Sequence, residues 1–195
     1  MSNTKKMLIE VARHLFADKG KKDVTMNDIA EASQKGRRTL YTYFNNKEEI
    51  YKAVIDKELN SILDRLIIVS AHKTEPDVKL TNHILTHLDA VKDVVNRNGS
   101  LRADFFHDIY EVERKRRKVD VKEIALIRSI IAEGIEKNIF KRMDLDLSSI
   151  IIFYAIKGME VPYIRQNISS DFEKNKNSIV EFVFMGIKKN PIVLK

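Results

Sequence analysis

Apolar residues recur along this chain at helical spacing, and no period-two alternation lasts long enough to predict a sheet. Leu8, Val11, Ala12, Leu15 and Phe16 form one stripe, closed by Gly20. A short second helix opens at Thr25. Asp28 stands three residues on, at the reciprocal capping spacing, and Ile29, Ala30 and Ala32 supply a small apolar face. The turn falls at Ser33-Gln34-Lys35. Gly36 then takes the cap of a third helix, on which Leu40 and Phe44, four apart, share the inner face. Asn46 with Glu49 caps a much longer helix that runs to about Val69, with Ile50, Val54, Ile62, Leu66 and Val69 at helical spacing.

His72 to Pro76 is the first clear break. From Asp77 to about Arg97 an amphipathic helix carries Leu80, Ile84, Leu88, Val91 and Val95, and Asn98-Gly99 ends it. Ser100 caps the next, with Leu101, Phe105, Ile109 and Val112 inward, and Asp120 opens another striped by Ile124, Ile127, Ile131 and Ile135. Leu147 to about Arg165 and Phe172 to about Lys188 close the chain, and Pro162 is expected to bend or end the former. The expected architecture is all-α, with about nine helices. A three-helix head holding a helix-turn-helix is joined by the long helix 46–69 to an all-helical remainder. The expected division is residues 1–48 for the head and 49–195 for the rest.

With 195 residues, 44% of them hydrophobic, the chain can bury a sizeable core. The formal charge of +7 suits a polyanionic partner without requiring one. The absence of cysteine removes disulfides, thiolate metal sites and cysteine nucleophiles together. Glu10, Arg13 and Asp18 interrupt any leader-like apolar segment, and the longest apolar run, Ile150 to Ile156, is far short of the ~18–20 residues that span a bilayer. The expectation is a cytoplasmic protein with no membrane partner. No Ser-His-Asp set, glycine-rich phosphate loop or paired-acid motif stands out, so no enzyme and no cofactor are expected.

The outer face of the third helix changes the picture. Arg38 and Thr42 point away from Leu40 and Phe44, with Arg37, Thr39 and Tyr41 beside them. Such a face suits a duplex, because arginine takes guanine edges or phosphates and hydroxyls reach phosphates or bases. At this point the segment resembles the DNA-binding domain of tetracycline-repressor-type (TetR) regulators. The resemblance rests on Ile29-Ala30, on Thr39-Leu40-Tyr41-Thr42-Tyr43-Phe44 and on Lys47. Upstream, Leu8, Ile9, Ala12, Leu15-Phe16-Ala17 and Gly20 are similar to that family's first helix and its exit. It covers roughly residues 5–55 without a gap. The turn departs from the family pattern, with Gln34 and Lys35 where Gly and an apolar residue are usual, and Arg38 fills a small, Gly-like position.

The resemblance implies a transcriptional regulator whose third helix enters the major groove. It makes Arg37, Arg38, Thr39 and Thr42 base-side candidates and Tyr41, Tyr43 and Lys47 phosphate-side candidates, with Thr25 and Asn27 at the start of the preceding helix touching the backbone. The two closing segments are apolar on more than one face, which fits either a monomer core or an interface. With the resemblance included, a homodimer on a palindromic operator is expected. It also implies release by a small, largely apolar effector, in a pocket lined by Phe105, Phe106, Tyr110, Ile131, Phe153 and Tyr154. A protein partner in place of the effector is the alternative. Repression is the commoner outcome in the family, although an activator would carry the same signals.

Two features stand outside this scheme. His83 and His87, four apart on one helix with His107-Asp108 further on, have a spacing that can hold a metal, but exposed or core histidines show the same spacing; that second reading is adopted and no metal is expected. The run Glu113 to Lys118 reads as solvated cations at a helix end or as a second nucleic-acid contact.

Overall fold

The computed structural model describes residues 2–99, 110–165 and 176–189. Among them every regular element is a helix: α1 (Asn3–Lys19), α2 (Met26–Ala32), α3 (Arg37–Tyr43), α4 (Lys47–Ser70), α5 (Pro76–Arg97), α6 (Tyr110–Glu136), α7 (Leu145–Arg165) and α8 (Lys176–Ile187). One isolated β-bridge joins Phe140 to Lys188. The chain divides into two compact units, residues 1–61 with 93–117 and residues 62–92 with 118–195.

In the first unit α1, α2 and α4 each start on a side-chain cap. Ser2 caps α1 by accepting from the Lys5 amide, and Gly20 ends it at φ 83°, the left-handed conformation open to glycine. Leu8, Ile9, Ala12 and Phe16 are buried on α1, Ile29 and Ala30 on α2, and Leu40 and Phe44 on the inner face of α3 and its exit. Ala32, expected on that apolar face, is exposed instead. The Phe16 ring meets Tyr51 of α4 edge-on at 6.1 Å, a geometry favoured by the ring quadrupoles. Asn46 caps α4 through the Glu49 amide, 3.0 Å away. The Glu49 carboxylate returns to the amide of Asn45 rather than to that of Asn46.

The second unit has one apolar core. Leu80, Ile84 and Leu88 of α5, Ile127, Ile130 and Ile131 of α6, Ile152, Phe153, Ile156 and Tyr163 of α7, and Val180, Val183, Phe184 and Ile187 of α8 are buried together with Phe140. Phe140 stacks with Phe184 at 6.2 Å and lies on Gly134, where a Cβ would come within 2.0 Å of its ring. A glycine is therefore required in the last turn of α6, where the Phe140 ring covers it.

Three expectations are corrected. The described residues form eight helices, because α6 runs unbroken through Asp120. That carboxylate accepts from Lys157 Nζ at 2.5 Å instead of capping a new helix. Pro162 lies inside α7 and does not end it, since the helix continues to Arg165. Finally, counting contiguous apolar residues missed that 145–164 is long and apolar enough on average to cross a membrane. In this chain α7 is a core helix, with Ile152, Phe153, Ile156 and Tyr163 packed inward. The expected helix from Ser100 and the start of the last one at Phe172 lie outside the described residues.

Candidate nucleic-acid interface

The α2–turn–α3 segment is fixed by local chemistry. Thr25 and Asp28 complete a capping box in which each side chain accepts from the other's backbone amide. The hydrogen bonds from the Thr25 side chain and backbone hold the Asp28 carboxyl below its usual range. At the other end of α2 the Lys35 amide reaches the Ala30 carbonyl at 3.0 Å and the Gln34 amide reaches Glu31 at 2.9 Å. This is the Schellman pattern, whose left-handed residue is usually glycine. Here it is Gln34, at φ 53°. The departure from the family pattern therefore keeps the turn's hydrogen bonds and places a strained non-glycine residue in them. Lys35 beside it is exposed.

On α3 the outward side is open. Arg37, Arg38, Tyr41 and Thr42 are exposed, and Thr39 and Tyr43 are half-buried. Arg37 Nε donates to Asn27 Oδ1 at 2.6 Å, and Asn27 Nδ2 donates to Glu31 at 3.0 Å. Arg37 and Asn27 are thus joined in one chain across the two helices, which sets the direction of the guanidinium. The Thr42 hydroxyl donates to the Arg38 carbonyl. Lys47 sits below this face, its ammonium held by the carbonyls of Lys21 and Lys22 at 2.7 and 3.2 Å. Its first task is to close the loop between α1 and α2, a role that its position in the sequence did not signal.

A polar network anchored on the buried Arg13 and Glu58 continues from this head within the same unit. Arg13 of α1 donates to Glu10 at 2.8 Å and to the Arg97 carbonyl at the end of α5 at 3.0 Å. Arg97 in turn donates from Nε to Glu58 of α4 at 2.8 Å, and Lys57 pairs with Glu10. Burial alone would raise the Glu10 carboxyl, but hydrogen bonds from Lys57 and Arg13 bring it down to about 2. Sequence reading missed this network, because Glu58 looks like an ordinary surface charge until the helices are packed around it.

Of the residues expected to line an effector pocket, Ile131 and Phe153 are buried in the second unit's core, whereas Tyr154 is 61% exposed. Phe105, Phe106 and the side chain of Tyr110 lie outside the described residues.

Residues 8–54 match the family described as bacterial regulatory proteins, tetR family. Over nearly its whole length the chain is similar to the HTH-type transcriptional regulator YhgD of Bacillus subtilis. The two are 23% identical over 191 residues, 95% of this chain and 97% of that one. Its fold is similar to that of a transcriptional regulator from Cytophaga hutchinsonii, with a TM-score of 0.79 at 22% identity over 96% of this chain and 100% of the other. The transcriptional regulator FadR from Bacillus subtilis, solved in complex with stearoyl-CoA, aligns with a TM-score of 0.70 at 21% identity, covering 93% and 98% of the two chains.

Proposed function

The chain is a helix-turn-helix transcriptional regulator of the tetR family, and from that premise we propose that it is a homodimeric repressor released from a palindromic operator by an apolar effector. The observation that carries the reading is the outward face of α3, where Arg37, Arg38, Tyr41 and Thr42 stand exposed on a helix locked by caps at both ends of α2. Residues 1–48 read the DNA in this scheme, and 49–195 form the dimer and hold the effector. Arg37, Arg38, Thr39 and Thr42 face base edges. Thr25, Asn27, Tyr41, Tyr43 and Lys47 face the backbone, where they fix register without reading sequence.

The effector is a small, largely apolar molecule. Long-chain acyl thioesters come first among compounds to try, by extension from the FadR complex with stearoyl-CoA. Effector binding shifts α4, and the Glu58–Arg97–Arg13 network passes that shift to α1 of the head. Two heads moved apart no longer engage both half-sites, so operator occupancy falls.

The test is selection of sites from random duplexes by the purified protein at near-physiological salt. An inverted repeat, with half-site centres about one duplex turn or a modest stretch of it apart, is the expected result. Recovery of only unspecific, salt-sensitive binding would sink the site-specific regulator. On the selected site, Arg38→Ala is expected to cost ~1–3 kcal/mol and to relax preference at particular base pairs, as loss of a bidentate base contact does. Gel shifts on a panel of single-base variants check it. Equal weakening on every sequence would reassign Arg38 to a phosphate.

A further inference from the structure

Arg37 is exposed at the start of α3, on a long side chain with many rotamers to lose when it is fixed against a partner. It is not left to find its direction on binding. Its Nε donates to Asn27 Oδ1 at 2.6 Å, and Asn27 Nδ2 donates to Glu31 Oε1 at 3.0 Å. Asn27 and Glu31 stand one turn apart on the same face of α2, the first half-buried and the second exposed.

The hydrogen-bonding chemistry gives this chain one sense. A carboxylate only accepts and a guanidinium only donates, whereas a carboxamide does both, at opposite ends. Glu31 therefore takes the NH2 end of Asn27 and turns the carbonyl end toward Arg37. A reversed Asn27 would set donor against donor and acceptor against acceptor. With Nε engaged, the guanidinium plane is fixed and the hydrogens of Nη1 and Nη2 stay available. That planar fork matches O6 and N7 of guanine in the major groove. A phosphate attracts the same cation from many directions and needs no such aim, while a base edge is met only in its plane. An anion on a DNA-facing surface also repels phosphates, so what Glu31 contributes is direction rather than affinity.

We infer that Glu31 and Asn27 are positioning residues that aim Arg37 at a guanine, and so set one base-pair preference of the operator without reading a base themselves. The role rests on α3 being the DNA-reading face. It leaves the second Nδ2 hydrogen of Asn27 for a phosphate.

The test is site selection from random duplexes by the full-length wild type, followed by affinities for every single-base variant of the selected site. These are measured for wild type, Arg37→Ala, Asn27→Ala, Glu31→Ala and Glu31→Gln. Arg37→Ala locates the position, as the one where preference for guanine disappears. Asn27→Ala and Glu31→Ala are expected to lower that preference ~5–10-fold and to leave every other position within about twofold. Glu31→Gln keeps an acceptor for Asn27 Nδ2 and is expected to keep the preference. Each preference is a ratio of affinities, so the uniform gain from removing an anion cancels. Thermal unfolding of all four variants should stay close to wild type.

A guanine preference unchanged in Asn27→Ala or Glu31→Ala overturns the inference while the regulator reading stands. Equal loss at every position does the same, since it marks a structural role for α2. If Glu31→Gln loses as much as Glu31→Ala, charge and not orientation is at work, and the inference falls. It falls too if Arg37→Ala weakens all sequences alike, which makes Arg37 a phosphate contact. A wild type that enriches no site removes the DNA-reading role and this inference together.

Discussion

Replacing His87 by alanine is expected to cost the protein ~3–5 kcal/mol, the penalty for removing one partner of a buried ion pair. His87 is hydrogen-bonded to both Glu123 and Glu160, through contacts of 2.6 and 3.0 Å. Its loss removes the imidazolium that both buried carboxylates share, which is more costly than the cavity alone. The pH dependence separates this account from simple loss of packing. In the wild type the folded-state pKa of His87 is raised from 6.5 to about 10, so its contribution is complete below pH 6.5 and drains away as pH rises toward 10. Glu123 is lowered from 4.5 to about 2, so its contribution holds above pH 4.5 and is lost as pH falls toward 2. Between those limits the cluster's contribution is flat. In the alanine variant burial acts on carboxylates without the imidazolium, their pKa values rise, and the folded state takes up protons. Its urea midpoint should therefore climb as pH falls from 6.5 to 4.5, while that of the wild type holds. Replacing all three by apolar residues, as His87→Leu with Glu123→Leu and Glu160→Met, should recover most of the loss, since the desolvation of the imidazolium and of both carboxylates is then removed together. A variant midpoint that does not depend on pH would refute the account.

This cluster also marks where sequence reading stopped. The His83–His87 spacing was visible as a local pattern, but its meaning is set by carboxylates 36 and 73 residues away from His87. No periodicity connects such distant positions. The head was legible for the opposite reason. Its caps, turn and inner face at Leu40 and Phe44 are local, so the contacts that define them lie within a few residues of each other. Even there, Lys47 closes a loop with carbonyls 25 and 26 residues earlier, and only the fold shows it. Asp120 failed as a helix start because a capping residue and a paired residue look alike until Lys157 of α7 is placed opposite it.

The doubly apolar character of the last two helices was legible as well, and the structure sorts its two faces. On α7, Leu147, Ile151, Tyr154 and Val161 follow one helical stripe and are exposed, while Ile152, Phe153 and Ile156 fill the core. On α8, Val180, Val183 and Phe184 are buried, while Phe182 and Met185 are 77% and 67% exposed. An uninterrupted apolar surface on both helices is what a dimer built through them requires. The double variant Ile151→Glu with Phe182→Glu should therefore convert the proposed dimer to a monomer, because four charges enter the interface of each pair. Each lost apolar anchor is worth ~1.5–3 kcal/mol of burial. Operator affinity should fall by ~10²–10⁴-fold, the advantage of engaging two linked half-sites over one. Sedimentation of wild type and variant, with gel shifts on the full operator and on a single half-site, makes the comparison. Both substitutions are at positions exposed in the protomer, so helix content and thermal unfolding should stay close to wild type, which separates a lost interface from a lost fold. If the dimer is right, the wild type will also prefer the full operator over the half-site while the variant binds both alike. A wild-type protein that sediments as a monomer would remove the dimer and the palindrome together. The α3 face would remain a DNA-reading surface, one that must then find its specificity in a single half-site.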